Sequence, residues 1–307
     1  MIGNLLVDLI VRGVEDLPAW GREVSGTNHR SSSAGQAGNL ARGLVALGMA
    51  AGVVGNVGRD EAGSQILRDL SGAGVSIESV EVSPTGATAL SIAIVRPDGE
   101  RAFLSDFASL AEIDEALVMR HWDAVCRASY VCLVGLFNLP ALDLRAAKRI
   151  LAAARAEGRT TVLDTGWDPK GWQPGTVEGI RALLEDVDIF LPNAEEACAL
   201  TGQADPVAAA QGLEEWGCRL VVVKMGAEGS LARRAGQVWQ SPAFPAAVHD
   251  AVGAGDVFDA GFLIGVVGGR EAPAAMAFAN AAASIYVSRS KDRFPSPTEV
   301  LGVLGVK

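Results

Sequence analysis

Tyr130-Val131-Cys132-Leu133-Val134-Gly135-Leu136 reads as a buried strand: it is apolar throughout and lacks the polar alternation of a strand that meets water. Residues 142–157 then supply an Ala/Leu/Arg helical pattern, closed by Gly158, which is free to take the left-handed conformation of a helix C-cap. The alternation continues with strand 160–163, helix 177–184, strand 188–191, helix 194–201 ending at Gly202, helix 207–216 and strand 220–224. Parallel neighbours need a helical crossover, so this β-α-β-α rhythm predicts a doubly wound, mostly parallel α/β sheet with helices on both faces.

Two stretches interrupt the rhythm. Residues 11–32 carry Pro18, Gly21 and Gly26 among alternating polar and apolar residues. Residues 86–106 read as a hairpin, strands 89–95 and 101–105 joined by Pro97-Asp98-Gly99-Glu100. Strands without helices in such a chain predict a small separate sheet, a lid inserted in one domain spanning 1–307.

Hydrophobic residues make up 49% of the chain and charged ones 20%, which is a globular rather than a disordered composition. The net charge, 26 − 36 = −10, comes without any basic block and argues against a nucleic-acid partner. Cys126, Cys132, Cys198 and Cys218 show no CxxC pairing and lie in apolar surroundings, as thiols in a reducing compartment do. No basic N-terminal signal stands out, and the apolar stretch 260–267 is too short to span a bilayer; the expectation is a soluble, cytoplasmic protein with no membrane partner.

Chemistry concentrates in Asp250-Ala251-Val252-Gly253-Ala254-Gly255-Asp256-Val257-Phe258-Asp259-Ala260-Gly261. A Gly-rich turn leads straight into an apolar helix, so the N–H groups of Gly253, Ala254, Gly255 and Asp256 can converge on an anion at a helix N-terminus. Asp256 adds a carboxylate in the first turn. Phosphoryl transfer needs this combination: donors for the charge on the moving phosphoryl, and a base for the attacking hydroxyl. The plainer reading is a Gly-rich helix start in which Asp256 serves the helix dipole. A second segment, Ala34-Gly35-Gln36-Ala37-Gly38-Asn39-Leu40-Ala41, opens a helix over 40–47; Asn39 offers both a donor and an acceptor to a polyol.

In this order the two segments resemble the signature segments of the ribokinase (PfkB) family of carbohydrate kinases, and the resemblance extends over nearly the whole chain. Gly3-Asn4-Leu5-Leu6-Val7-Asp8 is similar to the family's opening strand, and 55–63 to its Gly-x-x-Gly-x-Asp-x-x-Gly turn. Asn193-Ala194-Glu195-Glu196 is similar to its Asn-x-x-Glu, Gly226-Ala227-Glu228-Gly229 to a nucleotide-binding turn, and Asn280 falls where the family packs against adenine. The resemblance implies an ATP-dependent kinase acting on a sugar hydroxyl, with Asp256 as base and the amides of 253–256 as anion hole. Asp8, Gly35 and Asn39 would hold the sugar; Asn193, Glu196, Lys224, Gly226, Gly229 and Asn280 would hold ATP. Glu196 would reach Mg²⁺ through water, and the carbonyls of Asp250 and Val252 would bind a monovalent cation such as K⁺.

Most of these residues have a structural alternative. Asn193 with Glu196 makes a capping-box pair, Asp8 could end a strand, Gly226 and Gly229 could form an ordinary hairpin turn, and Lys224 could be a surface strand end. The chain departs from the family at Ala34, at Ala251 where Thr is usual, at 164–169, and at Ser288-Arg289-Ser290-Lys291-Asp292 where Gly-Ala is usual. The three histidines form no metal-ligand or triad pattern. Two other functions fit the same residues: a nucleoside kinase of this family, or a non-catalytic sugar- or nucleotide-binding regulator. The lid hairpin, with few layers to bury against, also suggests a homodimer through the lid.

Overall fold

The central strands form where the apolar runs occur. A computed structural model of the chain describes residues 1–289 and 293–306. Its strands are β1 (Ile2–Gly3), β2 (Leu6–Arg12), β3 (Asn28–Ala34), β4 (Gly52–Val57), β5 (Ser76–Val82), β6 (Ala89–Val95), β7 (Arg101–Asp106), β8 (Tyr130–Val134), β9 (Thr160–Asp164), β10 (Ile189–Phe190), β11 (Leu220–Lys224), β12 (Ser230–Arg234) and β13 (Gln237–Ser241). Among the described residues they make two sheets, a large one in the order β13-β12-β11-β10-β9-β8-β1-β4-β5 and a small one in the order β3-β2-β6-β7. The large sheet is parallel from β5 to β11, and only its edge, β12 and β13, runs antiparallel.

Successive residues of each central strand point to opposite faces, so the apolar runs feed two cores. Leu133, Leu163 and Val221 pack on one side with the helices Leu144–Ala156, Pro174–Leu184, Ala194–Thr201 and Pro206–Glu215. Cys132, Val162 and Val222 pack on the other with Gln36–Ala46, Ala254–Val267 and Ala272–Val287. Strand order reverses between β1 and β8, and the carboxyl ends of strands at such a switch point leave a crevice for ligands. Among the described residues no helix is long and apolar enough to cross a membrane.

The opening strand corrects the sequence reading. A single run from Gly3 to Asp8 was the expectation; instead β1 stops at Gly3 and β2 begins the lid at Leu6. Leu5 is fully buried in the large core and the Asn4 side chain accepts the Gln36 N–H at 3.1 Å, which together redirect the chain between the sheets. The lid therefore takes in residues 6–12 and 28–34, earlier and later than the 11–32 span, beside 89–95 and 101–106. The helix expected over 40–47 starts earlier, at Gln36, because Gly35 with φ 93° already forms its N-cap. The run ending at Leu136 stops as a strand at Val134, where Gly135 with φ 65° turns the chain.

Register fixes the two faces of the lid. Asp8 pairs with Ser32 and Ser91, so Asp8, Ile10, Arg12, Ser32 and Arg30 share the face turned to the body with Ala89, Ala93 and Val95. The outward face carries Val7, Leu9, Val11, Leu90, Ile92 and Ile94, all half-buried, with Leu104 exposed on the edge strand.

Candidate active site

The helix Ala254–Val267 begins without a side-chain cap. Its N-cap is Gly253, at φ 83°, a conformation natural to glycine; a Cβ there would stand 3.0 Å from Tyr286 Oη and 3.1 Å from Asn39 Nδ2. The N–H groups of Gly255 and Asp256 have no hydrogen-bond partner among the described residues. They are the orphan donors of a helix start, and they give the turn its capacity to hold an anion.

Asp256 is buried beside them, and Asn39 Nδ2 donates to its Oδ2 at 2.8 Å. Burial pushes its carboxyl up to about 7; the Asn39 hydrogen bond works the other way, and nearby Asp164 adds to the rise. A carboxylate tuned this far toward neutrality suits general-base chemistry. Asn39, expected to hold sugar hydroxyls, is thus committed to protein partners: its Oδ1 also accepts from Arg42 Nη2 at 2.8 Å.

Lys224 is no surface strand end. Its side chain is 12% exposed, and Nζ donates to Asp164 Oδ2 at 2.9 Å and to Asp259 Oδ1 at 3.1 Å. A Cβ on Gly255 would lie 3.6 Å from this ammonium, which therefore flanks the anion turn. Burial opposes charge at Asp164, yet the Lys224 ammonium outweighs it and holds this carboxyl below its ordinary value; burial drives Asp259 well above. The two shifts diverge, so Asp164 holds its charge more readily than Asp259. Although burial disfavours the ammonium, Asp164 and Asp259 keep Lys224 charged. Sequence reasoning missed both acids. Asp164 closes β9 at the carboxyl edge where ligands gather, and Asp259 stands three residues after Asp256 in an otherwise apolar helix; those were the available signals.

The residues expected around ATP fall into two groups. Asn193 caps the helix Ala194–Thr201, with Glu196 completing a full capping box at 2.8 Å in both directions. Asn193 also bridges to Lys224 beyond the end of β10. Glu196 is 4% exposed, and burial, with Asp164 second, lifts its carboxyl to about 7, so a cation there would be welcome. Gly226 and Gly229, at φ 58° and 94°, turn β11 into β12 as a hairpin. Asn280 is next to that hairpin; its Nδ2 is turned to Ser230 Oγ and to Ser241 and Pro242 oxygens at 3.0–3.2 Å.

On the sugar side, Asp8, Ser32, Ser33, Ala34, Asn39, Arg42 and Tyr286 line a polar crevice under the lid that is too narrow here to admit a water molecule. Gly35 is needed for packing, since a Cβ would meet the Asn4 carbonyl at 2.3 Å. Asp250 Oδ1 accepts the Val252 N–H at 3.0 Å, and its Oδ2 receives Arg12 and Arg30 from the lid at 2.8 and 3.3 Å. The partner segment expected for a monovalent cation includes Ser290-Lys291-Asp292, which lie outside the described residues.

Comparison with known proteins gives the family and the fold. The chain is 27% identical over 309 aligned residues to a 5-dehydro-2-deoxygluconokinase of Geobacillus thermodenitrificans, covering 97% of this chain and 89% of that one. It is 29% identical to an ATP-dependent ribose-1-phosphate kinase of Halopiger xanaduensis, over 95% and 92% of the two chains. Among solved structures, Arabidopsis thaliana ribokinase complexed with ribose and ATP superposes with a TM-score of 0.84 at 26% identity, covering 100% of this chain and 98% of the other. The sequence pattern of the pfkB family carbohydrate kinases matches residues 1–299, so the two-sheet α/β fold and the turn at 253–256 belong to a carbohydrate kinase of the pfkB family.

Proposed function

We propose that this kinase moves the γ-phosphoryl of ATP onto a hydroxyl of a small sugar or sugar-like substrate, with Asp256 as general base and the amides of 253–256 as anion hole. The observation that carries it is Asp256 itself, a buried carboxylate with its pKa lifted to about 7 in the first turn of a helix where the N–H groups of Gly255 and Asp256 have no partner among the described residues, while Ala254 N–H is held by the Ala251 carbonyl at 3.2 Å. The relatives' names, a deoxygluconokinase and a ribose-1-phosphate kinase, support a sugar as acceptor.

In this reading Asn39 aims the Asp256 carboxylate, which takes the hydroxyl proton as the oxygen attacks. The 253–256 amides and the Lys224 ammonium face the charge that builds on the phosphoryl oxygens. Asp8 and the pocket under the lid hold the remaining hydroxyls, while the lid keeps out water, which would compete as acceptor. Asn193, Gly226–Gly229 and Asn280 mark the nucleotide side. Mg²⁺ fits here as an ion bound mainly by phosphates and water: Glu196 is a buried carboxylate whose near neighbour Asp164 is already paired with Lys224, and no group of three or more metal-ligating side chains occurs among the described residues. When bound, Mg²⁺ neutralises charge on the phosphates. The carbonyls of Asp250 and Val252 are the candidates for K⁺, checked by comparing rates in potassium and tetramethylammonium salts. The apolar outer face of the lid is our candidate for a two-fold contact between copies.

ADP release from ATP and Mg²⁺, measured against hexoses, pentoses, sugar acids, sugar phosphates, inositols and nucleosides, tests the reading. Sugar-dependent turnover is the expected result. Turnover confined to nucleosides would replace sugar by nucleoside, and thermal stabilisation by a sugar without turnover would make the chain a binding protein.

A further inference from the structure

Arg12 and Arg30 stand on adjacent antiparallel lid strands, and strand alternation puts both on the inward face with Asp8 and Ser32. Each guanidinium uses one Nη2 on the same atom, Asp250 Oδ2, and neither has a further side-chain hydrogen bond among the described residues. A guanidinium has five N–H donors, so most of this fork is unspent. The two side chains keep 34% and 33% of their surface exposed, while Asp250 keeps 6%. One carboxylate thus faces two half-open guanidiniums at the mouth of the site.

Their position follows from register. Asp8 and Ser32, which line the pocket leading to Asn39 and hence to Asp256, are a cross-strand pair. Arg30 lies opposite Ile10, two residues further out, about 7 Å along the strand. A sugar with one hydroxyl at Asp256 and others at Asp8 would end beneath Arg30 and Arg12.

We propose that the acceptor carries an oxyanion, a carboxylate or a phosphate, at the end remote from the phosphorylated hydroxyl, and that Arg12 and Arg30 bind it. This rests on the sugar-kinase reading above. Planar guanidinium forks match the paired oxygens of either anion, and Asp250 holds them preformed between turnovers. A neutral polyol would gain little from two such forks, which carry two positive charges against the one carboxylate of Asp250.

The test uses matched acceptors that differ in the anion, D-glucose with D-glucuronate and D-ribose with D-ribose 5-phosphate, together with hexose phosphates, aldonates and nucleosides. Wild type, Arg12→Met, Arg30→Met and Arg12→Lys are compared, with circular dichroism as the check on folding. The expected best acceptor is an anion; whether acids or phosphates win identifies the group. Each Met variant should raise the KM for that acceptor roughly 10–100-fold, the size of a lost hydrogen bond to a charged group, with kcat and the KM for ATP little changed and partial recovery in Arg12→Lys. A neutral sugar or a nucleoside as best acceptor overturns the proposal. So does an equal loss of kcat on charged and neutral acceptors, since the arginines would then serve only to hold the lid to Asp250. Absence of turnover on every acceptor removes the kinase reading, and this proposal with it.

Discussion

Asp250 and Asp256 lie six residues apart on the same turn and are equally buried, each 7% exposed, yet their surroundings differ. Asp256 belongs to the floor of the site, where Asn39 is its hydrogen-bonding neighbour and burial lifts its pKa to about 7. Asp250 faces the lid and is met by two half-exposed guanidiniums. On the floor burial outweighs the pull of the nearby Lys224 ammonium on Asp256, whereas on the lid side two guanidiniums stand directly on Asp250. In the proposed reading, reactivity would lie in the buried layer formed by the Gln36–Ala46 and Ala254–Val267 helices, and recognition in the thin lid sheet.

The largest effect should come from the floor. Asp256→Asn is expected to cut kcat by about 10²–10⁴ while ATP binding persists, the loss typical of a general base; near-normal turnover in a folded variant would refute the assignment. In wild type, kcat/KM should fall tenfold per unit as pH drops below about 7, because only the ionised carboxyl can take the proton. Stability should move the other way. The folded pKa lies above the ordinary 3.8, so the contribution of protonated Asp256 is fully present below about pH 4 and lost as pH rises to about 7. At pH 8 the Asn variant should therefore melt higher than wild type, which differential scanning calorimetry would show.

Next comes the buried ammonium. Lys224→Met leaves Asp164 and Asp259 with a charge and no cation, and should cost about 3–5 kcal/mol in urea unfolding. Adding Asp164→Asn to it should restore most of that. If the double variant is no more stable than the single one, the Asp164–Lys224–Asp259 cluster is not the cause.

A smaller contrast lies within the turn itself. Gly253→Ala forces a side chain into φ 83° against Tyr286 and Asn39, the residue that donates to Asp256; Gly255→Ala makes only ordinary contact with Lys224. A kcat loss of at least about tenfold in the first, and under about threefold in the second, would show that the position of Asn39 matters more than free space at the turn. Equal losses would reverse that ranking.

The smallest effect on turnover is expected on the outer face of the lid. Sedimentation velocity should show a dimer dissociated by Ile92→Lys, with kcat changed by less than about threefold. A 31.7 kDa species at every micromolar concentration of the wild type would exclude the lid contact.

Much of the fold was legible in the chain because it is written in local pattern. Apolar runs near Tyr130 and Leu220, the Gly stops at 158 and 202, and the hairpin turn at 97–100 depend on neighbours a few residues away, and these elements lie close to where they were read. The turn at 253–256 was legible for the same reason, since an uncapped Gly-rich helix start is a local object. What the sequence alone determined was thus the order of elements from 130 to 224, the lid hairpin and the turn. The burial of Lys224 between Asp164 and Asp259, Asn39 as the partner of Asp256, the clasp of Arg12 and Arg30 on Asp250, and the passage of the chain into the lid at Leu6 were decided by tertiary structure. Those contacts join residues from 35 to 238 positions apart, and which strand lies beside which fixes them; the pKa of a carboxyl then follows from how much water and which charges that packing leaves around it.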